Sequence, residues 1–281
     1  MGKAAATISV ALPQREWALG RFAIALENTA STAVVSASNN LWSVADPTTV
    51  VKDATHNTSI GGFTGTGTIN TGGTQQLTDA EEFVATLYEN FLGRTGTLQE
   101  WDMWVSALPN LGQGGVANAI ARSPESLKRI VDGLYLKFLG RAADAGGEAG
   151  FIGFLQQGGT IEQAINIFLS SDEYFNRVKD TFGDTQQSFI QSLYNNLLGR
   201  HAPGTEVQGW VSALPSLGRS GVINGFLTSQ EFRARSVTQF FATLLHRPPN
   251  SSELSAQVNS TRDLLTIEIG IASLQEYFTD G

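Results

Sequence analysis

The sequence predicts a mainly α protein: four helical repeat units, arranged as a duplicated pair, preceded by a small β-rich or extended N-terminal region. Three observations carry that expectation. A Leu-Gly-Arg corner recurs at Leu92-Gly93-Arg94, Leu139-Gly140-Arg141 and Leu198-Gly199-Arg200, with a degenerate Leu245-His246-Arg247, so that the arginines are spaced by 47, 59 and 47 residues. The segment Trp104-Val105-Ser106-Ala107-Leu108-Pro109 returns unchanged as Trp210–Pro215, displaced by 106 residues. Composition and charge change abruptly near residue 75.

That change divides the chain into residues 1–53, 54–75 and 76–281. The first 75 residues carry four bases and four acids, so the remaining 206 hold the whole formal charge of -8. Within residues 1–53, Thr7–Val10, Arg21–Leu26 and Ala33–Ser36 read as short strands, since Thr and Val favour extended backbone. Arg15–Glu27 reads equally as a short helix. Seven Thr and six Gly fill 13 of the 22 positions from Ala54 to Gln75. Such a segment is a flexible linker, or extended chain that gains order by pairing with neighbours.

From residue 76 the pattern is helical. Each Leu-Gly-Arg follows an apolar face at i, i+4 and i+8, as in Phe83-Val84, Leu87-Tyr88 and Phe91-Leu92;. Glycine then ends the helix, because it takes the left-handed cap conformation cheaply. About 31 residues beyond each arginine stands Ser123-Pro124-Glu125, Ser171-Asp172-Glu173-Tyr174, Ser229-Gln230-Glu231-Phe232 or, loosely, Gln275-Glu276-Tyr277-Phe278. Serine caps a new helix there, and Pro or an acid suits its first turn. The helix from Pro124 is expected to run unbroken to Leu139, roughly 24 Å. Phe182-Gly183-Asp184 interrupts the corresponding helix one unit on and accounts for the longer 59-residue gap. Thr78–Glu81 and Thr160–Gln163 have capping-box spacing and start further helices.

The succession of an apolar Leu-Tyr helix, Leu-Gly-Arg, an aromatic eleven residues past the glycine (Trp104, Phe151, Trp210) and Ser-x-Glu-Tyr/Phe resembles a bacterial helical repeat family of unassigned function. That family occurs in secreted, calcium-binding-repeat and cell-surface proteins and is distantly similar to phycobilisome linker domains. The resemblance covers about residues 80–278 and implies a helical fold with an assembly or adhesion role, and no catalytic residues. The family often places an acid four residues after the glycine and a second glycine three later. Here only the second unit has both, as Asp144 and Gly147, while Glu100, Glu206 and Glu253 occupy the later position elsewhere, and Gln257 replaces the aromatic in the last unit.

Composition excludes several chemistries. With Cys 0, thiol catalysis, disulfides and Cys-based zinc sites are ruled out;. His 3 leaves little imidazole. An acidic balance argues against nucleic-acid binding. No apolar run reaches the roughly 18 residues of a membrane span, and the first residues show no signal-peptide pattern. Gly65–Asn70 is half a dinucleotide fingerprint without a βα unit around it.

Each candidate site has two readings. Arg94, Arg141, Arg200 and Arg247 bind an anion, or satisfy helix-end carbonyls and pair with the next helix's acid; one arginine per unit in one local setting points to the second. Trp104 and Trp210, at matched positions, read as core, whereas Trp101 lies outside the repeat pattern and is the ligand candidate for stacking on sugar. Asp144 with Glu148 is the weak candidate for a metal, short of a 6–8 oxygen calcium shell; no cofactor is expected. In the N-terminal region Trp17, Phe22, Trp42 and Phe63 are the candidate partner-binding anchors.

The function these readings imply is a non-enzymatic structural subunit of a large extracellular or virion assembly. Residues 1–53 anchor it, pairing as strands with protein subunits of the same assembly, a homo-oligomer, while the helical repeats are displayed for attachment. An autonomous small β-domain is the other reading of the N-terminal region. A secreted or cell-surface adhesion module that binds polysaccharide is the alternative function. A glycoside hydrolase is a second alternative, since carboxylate pairs obey no sequence spacing rule.

Overall fold

The structure is a computed structural model and describes residues 26–27, 34–36, 51–52, 68–70, 77–183 and 185–280. The chain divides into two compact units, Met1–Thr78 and Asp79–Gly281. In the first, β1 (Leu26–Glu27) pairs in parallel with β3 (Val51–Lys52), and β2 (Val34–Ser36) with β4 (Thr68–Asn70) in the register Val35↔Ile69. The segment Ala33–Ser36 read as a strand contains β2, and the Thr/Gly-rich segment contributes β4. The expected strand at Thr7–Val10, and Trp17, Phe22, Trp42 and Phe63, lie outside the described residues.

The second unit is helical throughout. In chain order its helices are α1 (Asp79–Leu87), α2 (Leu98–Ala121), α3 (Pro124–Leu134), α4 (Ala145–Gln156), α5 (Ile161–Ser170) and α6 (Asp172–Phe182), then α7 (Gln186–Leu193), α8 (Gly204–Leu227), α9 (Gln230–Leu244), α10 (Ser251–Val258), α11 (Leu264–Ala272) and α12 (Gln275–Asp280). The caps fall where the sequence places them: Ser123, Ser171 and Ser229 each accept a backbone N–H of the first turn, and Thr160 forms a capping box with Gln163;. Gly183, with φ 96°, separates α6 from α7.

One local expectation needs correction. The helix from Pro124 is α-helical only to Leu134; its last turn, Tyr135–Leu139, is a π-turn with wider i→i+5 bonding;. The same π-turn occurs at Tyr88–Leu92 after α1 and at Tyr194–Leu198 after α7, each ending on a left-handed glycine. The duplicated segment lies in two long, bent helices. The helices α2 and α8, 24 residues each, bend at Gly112 and Gly218, both with φ 66° and 106 positions apart. Each therefore does the work that α4 with α5, and α10 with α11, do as separate helices.

The core runs along the apolar faces of all four units, with Phe83, Leu87, Val131, Phe138, Ile190, Leu193, Val237 and Phe241 buried. The repeats do not trail off as an open stack. At the middle of the unit α6 packs on α7, where the Tyr174 hydroxyl meets Ser192 Oγ at 2.9 Å and accepts from Asn196 Nδ2 at 2.9 Å. At its ends α12 packs on α1, where Asn90 Nδ2 donates to the Tyr277 hydroxyl at 3.0 Å. The first helix thus meets the last as the two middle helices meet each other.

Two outcomes follow. A chain beginning at Gln76 is expected to melt cooperatively with a strong helical circular-dichroism signal, since the apolar faces of α1–α12 close on one another; low helicity or a broad transition would contradict this. Tyr174→Phe is expected to lower stability by about 1–2 kcal/mol, because Asn196 and Ser192 lose a buried partner, and chemical denaturation measures it.

Candidate functional site

The recurring arginine of each unit sits immediately after the helix-ending corner, and three pieces of chain converge on it. Behind it lies the ring six residues earlier: the guanidinium carbon stands 5.1 Å from the centroid of Tyr88, 5.0 Å from Tyr135, 4.8 Å from Tyr194 and 5.1 Å from Phe241;. In front, a carboxylate from the first turn of the Ser-x-Glu helix takes Nε and Nη2 in a two-pronged pair. The Nε–Oε1 distance is 2.5 Å for Arg94–Glu125, Arg141–Glu173, Arg200–Glu231 and Arg247–Glu276;. These partners are 31, 32, 31 and 29 residues away in sequence.

A second carboxylate comes from the start of the next helix, and its source varies. In units one and four it is Glu100 or Glu253, three residues after the cap, and it closes a full capping box with Thr97 or Asn250. In unit two the cap itself supplies it: Asp144 accepts from Gly147 N at 2.9 Å and lies 3.5 Å from Arg141 Nη1. A Cβ at Gly147 would fall 2.0 Å from the Tyr135 hydroxyl, so the acid cannot sit there while the tyrosine keeps its place. In unit three Glu206 bonds Arg200 at 2.8 Å, but the cap is Pro203, which has no N–H to offer;. The arginine and then the cap N–H hold Glu100 and Glu253 down to about 2. Glu206 is lowered by Arg200 without that backbone bond.

For Arg94 and Arg247 these contacts decide between the two readings. Arg94 donates to Glu125, Glu100 and the Thr95 carbonyl through all five of its N–H groups, and Arg247 does the same with Glu276, Glu253 and the Pro248 carbonyl;. A guanidinium so engaged has no donor left for an anion. Exposed ion pairs contribute only about 0–1 kcal/mol each, and Arg94 remains 33% exposed. The clusters therefore set register between helices more than they add stability.

Sequence reasoning missed a second row of arginines. Arg129 donates to the Asn90 carbonyl at 2.7 Å and Arg177 to the Phe138 carbonyl at 2.8 Å, capping the π-turns. The expected carbonyl-capping role belongs to these residues. Each lies across the corner glycine: a Cβ would come within 2.6 Å of Arg129 at Gly93, 2.9 Å of Arg177 at Gly140 and 2.5 Å of Arg235 at Gly199. In unit four, where His246 takes the corner at φ 52°, the position six residues after Leu274 is Asp280 instead of an arginine. The signal was available as an arginine six residues after each helix-capping serine.

The remaining candidates are placed as follows. Trp101, read as a surface stacking residue, is 2% exposed, its indole packed against Gly96 and the Tyr88 ring, so it offers no face to a sugar. It holds the apolar position that Val207 holds in unit three. Trp104 and Trp210 are half-buried. Trp104 Nε1 donates to the Tyr88 hydroxyl at 3.0 Å, the Trp210 indole bonds Tyr194, and the Trp210 ring lies 4.9 Å from Phe226. Phe151 stacks on Phe168 at 4.5 Å. Asp144 pairs with Arg141 and Glu148 with Lys128, and among the described residues no group of three or more His, Asp or Glu is placed to hold a metal.

One acid stands apart from the clusters. Burial in α11 pushes Glu268 up to about 7, against the pull of Arg129. The neighbouring Tyr277 hydroxyl is raised by its own burial and further by Glu89 and Glu268. Folded Glu268 therefore holds a proton that the unfolded chain releases near pH 4.5, so stability falls as pH rises from about 4.5 to about 7. Glu100 and Glu253 have the opposite sign: their contribution is complete above about 4.5 and is lost as pH falls towards about 2;. Stability should peak near pH 5, and Glu268→Gln should stabilise the protein at pH 8 but not at pH 4.5, measured by denaturant midpoints. Gly199→Ala should destabilise by about 1–2 kcal/mol or more through its left-handed φ. Gly209→Ala, on an open helical face, should stabilise by roughly 0.5–1 kcal/mol.

Residues 70–130 and 168–236 match the family described as a domain of unknown function, DUF4214. Each matched segment contains one Leu-Gly-Arg corner together with the Ser-x-Glu turn that answers it. No curated protein matches the chain.

Proposed function

We propose that the chain is a non-enzymatic structural subunit of a large extracellular or virion assembly, anchored through residues 1–53 and displaying the helical unit. The observation that supports this reading is the state of the recurring charged residues. The arginine and carboxylates that each unit repeats are turned onto one another, with Arg94 and Arg247 using every donor they have. What the repeats preserve is the chemistry of a braced scaffold. The adhesion alternative had Trp101 as its aromatic platform, and that ring is buried.

Sedimentation of the full chain beside a chain lacking residues 1–53 tests the proposal. The full chain is expected to form higher-order species, and the shortened chain to sediment as a monomer with the helical melting transition unchanged. A full chain that stays monomeric over the same concentrations would favour a solitary adhesion module.

A further inference from the structure

We propose that the helical unit is a two-fold dimer folded into one chain, and that its two seams accept the matching halves of a second copy of this protein by exchange about Gly183. The halves are α1–α6 and α7–α12, and the aromatic and tyrosine–asparagine contacts that join them occur twice with corresponding residues. At one seam Tyr174 and Phe175 of α6 lie 6.5 Å and 5.9 Å from Phe189 of α7. At the other, Tyr277 and Phe278 of α12 lie 5.9 Å and 5.2 Å from Phe83 of α1, which precedes Phe189 by 106 positions. The asparagine that meets the tyrosine hydroxyl is Asn196 at the first seam and Asn90, again 106 positions earlier, at the second.

The flanking contacts repeat in the same way. Helix α5 packs on α8, and α11 packs on α2. Arg219 Nη1 reaches Asp172 at 2.9 Å across the first seam, and Gln113 Nε2 reaches Gln275 at 3.2 Å at the corresponding place in the second. Each half thus presents one α6-type and one α1-type surface, which is the condition for a self-complementary two-fold contact. No contact at either seam depends on the halves being in one chain.

The connection between the halves decides which partner closes the seam. At the two other junctions the Ser-x-Glu helix runs directly into the next corner, as α3 and α9 do, with twelve residues from Ser123 to Tyr135 and from Ser229 to Phe241. Between Ser171 and Tyr194 there are 23 residues, and the chain breaks at Gly183 with φ 96° so that α7 can fold back on α6. On one continuous helix Tyr174 and Phe189, fifteen residues apart, would be separated by about 22 Å. Their contact could then form only between two copies.

The test uses the full chain. Replacing the hinge by Gly183→Ala, Asp184→Ala and Thr185→Ala should let α6 and α7 run as one helix. Light scattering after gel filtration is expected to give twice the wild-type mass, with helicity and cooperative melting retained. Both proteins keep the same N-terminal region, so association through that region raises both masses alike and does not decide the result. An unchanged mass with a cooperative fold would overturn the proposal. Should the triple variant not fold, a protease sequence inserted after Gly183 provides the second measurement. Two cleaved samples with different tags are mixed, opened in denaturant and returned to buffer. Recovery of the first half of one sample with the second half of the other supports exchange, and halves that elute separately overturn it.

Discussion

A guanidinium placed just beyond a helix end, with a ring behind it and a carboxylate on either side, is the contact around which this fold is arranged. It ties together pieces of chain that share no backbone hydrogen-bond ladder: the corner of one helix, the start of the next, and the first turn of a helix about 31 residues on. Apolar burial supplies the driving force for packing but is indifferent to register. The planar fork of arginine is not, because its donors match two carboxylates in only a few orientations.

The units differ from one another in ways that hang together. Where the second carboxylate comes from the cap, as at Asp144, the position three residues later is glycine and the Tyr135 hydroxyl occupies the space. Where the cap is Thr97 or Asn250, that position is glutamate and completes the box. Where a second arginine crosses the corner, the corner is glycine; in the last unit, whose matching position is Asp280, His246 accepts the left-handed conformation. Tyr88 and Tyr194 have an indole partner, whereas the last unit has Phe241 and Gln257 and needs no such bond. These departures from the pattern are accompanied by changes that make them sterically or electrostatically consistent.

Repeat arrays often extend as open stacks whose terminal faces require capping. Here the duplicated halves cap each other, since α12 covers α1 in the way that α6 covers α7. A tyrosine hydroxyl against an asparagine at both seams makes the closure specific, because an unpaired polar group buried there would be unfavourable.

Residue order alone determined what depends on a few neighbouring residues. The four corners, the serine and threonine caps, the break at Gly183 and the 106-residue duplication were all legible, because glycine conformation, capping and helical periodicity act within one or two turns;. The arginines could be read as structural from their recurrence, although not the identity of both partners. Tertiary structure decided the rest. The π-turns, and the arginines Arg129 and Arg177 that close two of them, depend on pieces of chain 39 residues apart in sequence coming into contact. Trp101 looked like a surface residue because its place in the repeat is filled by other residue types; its burial is set by Gly96 and Tyr88. That the repeats close on themselves is a property of which apolar faces meet, and hydrophobic contact carries no label in sequence for its partner.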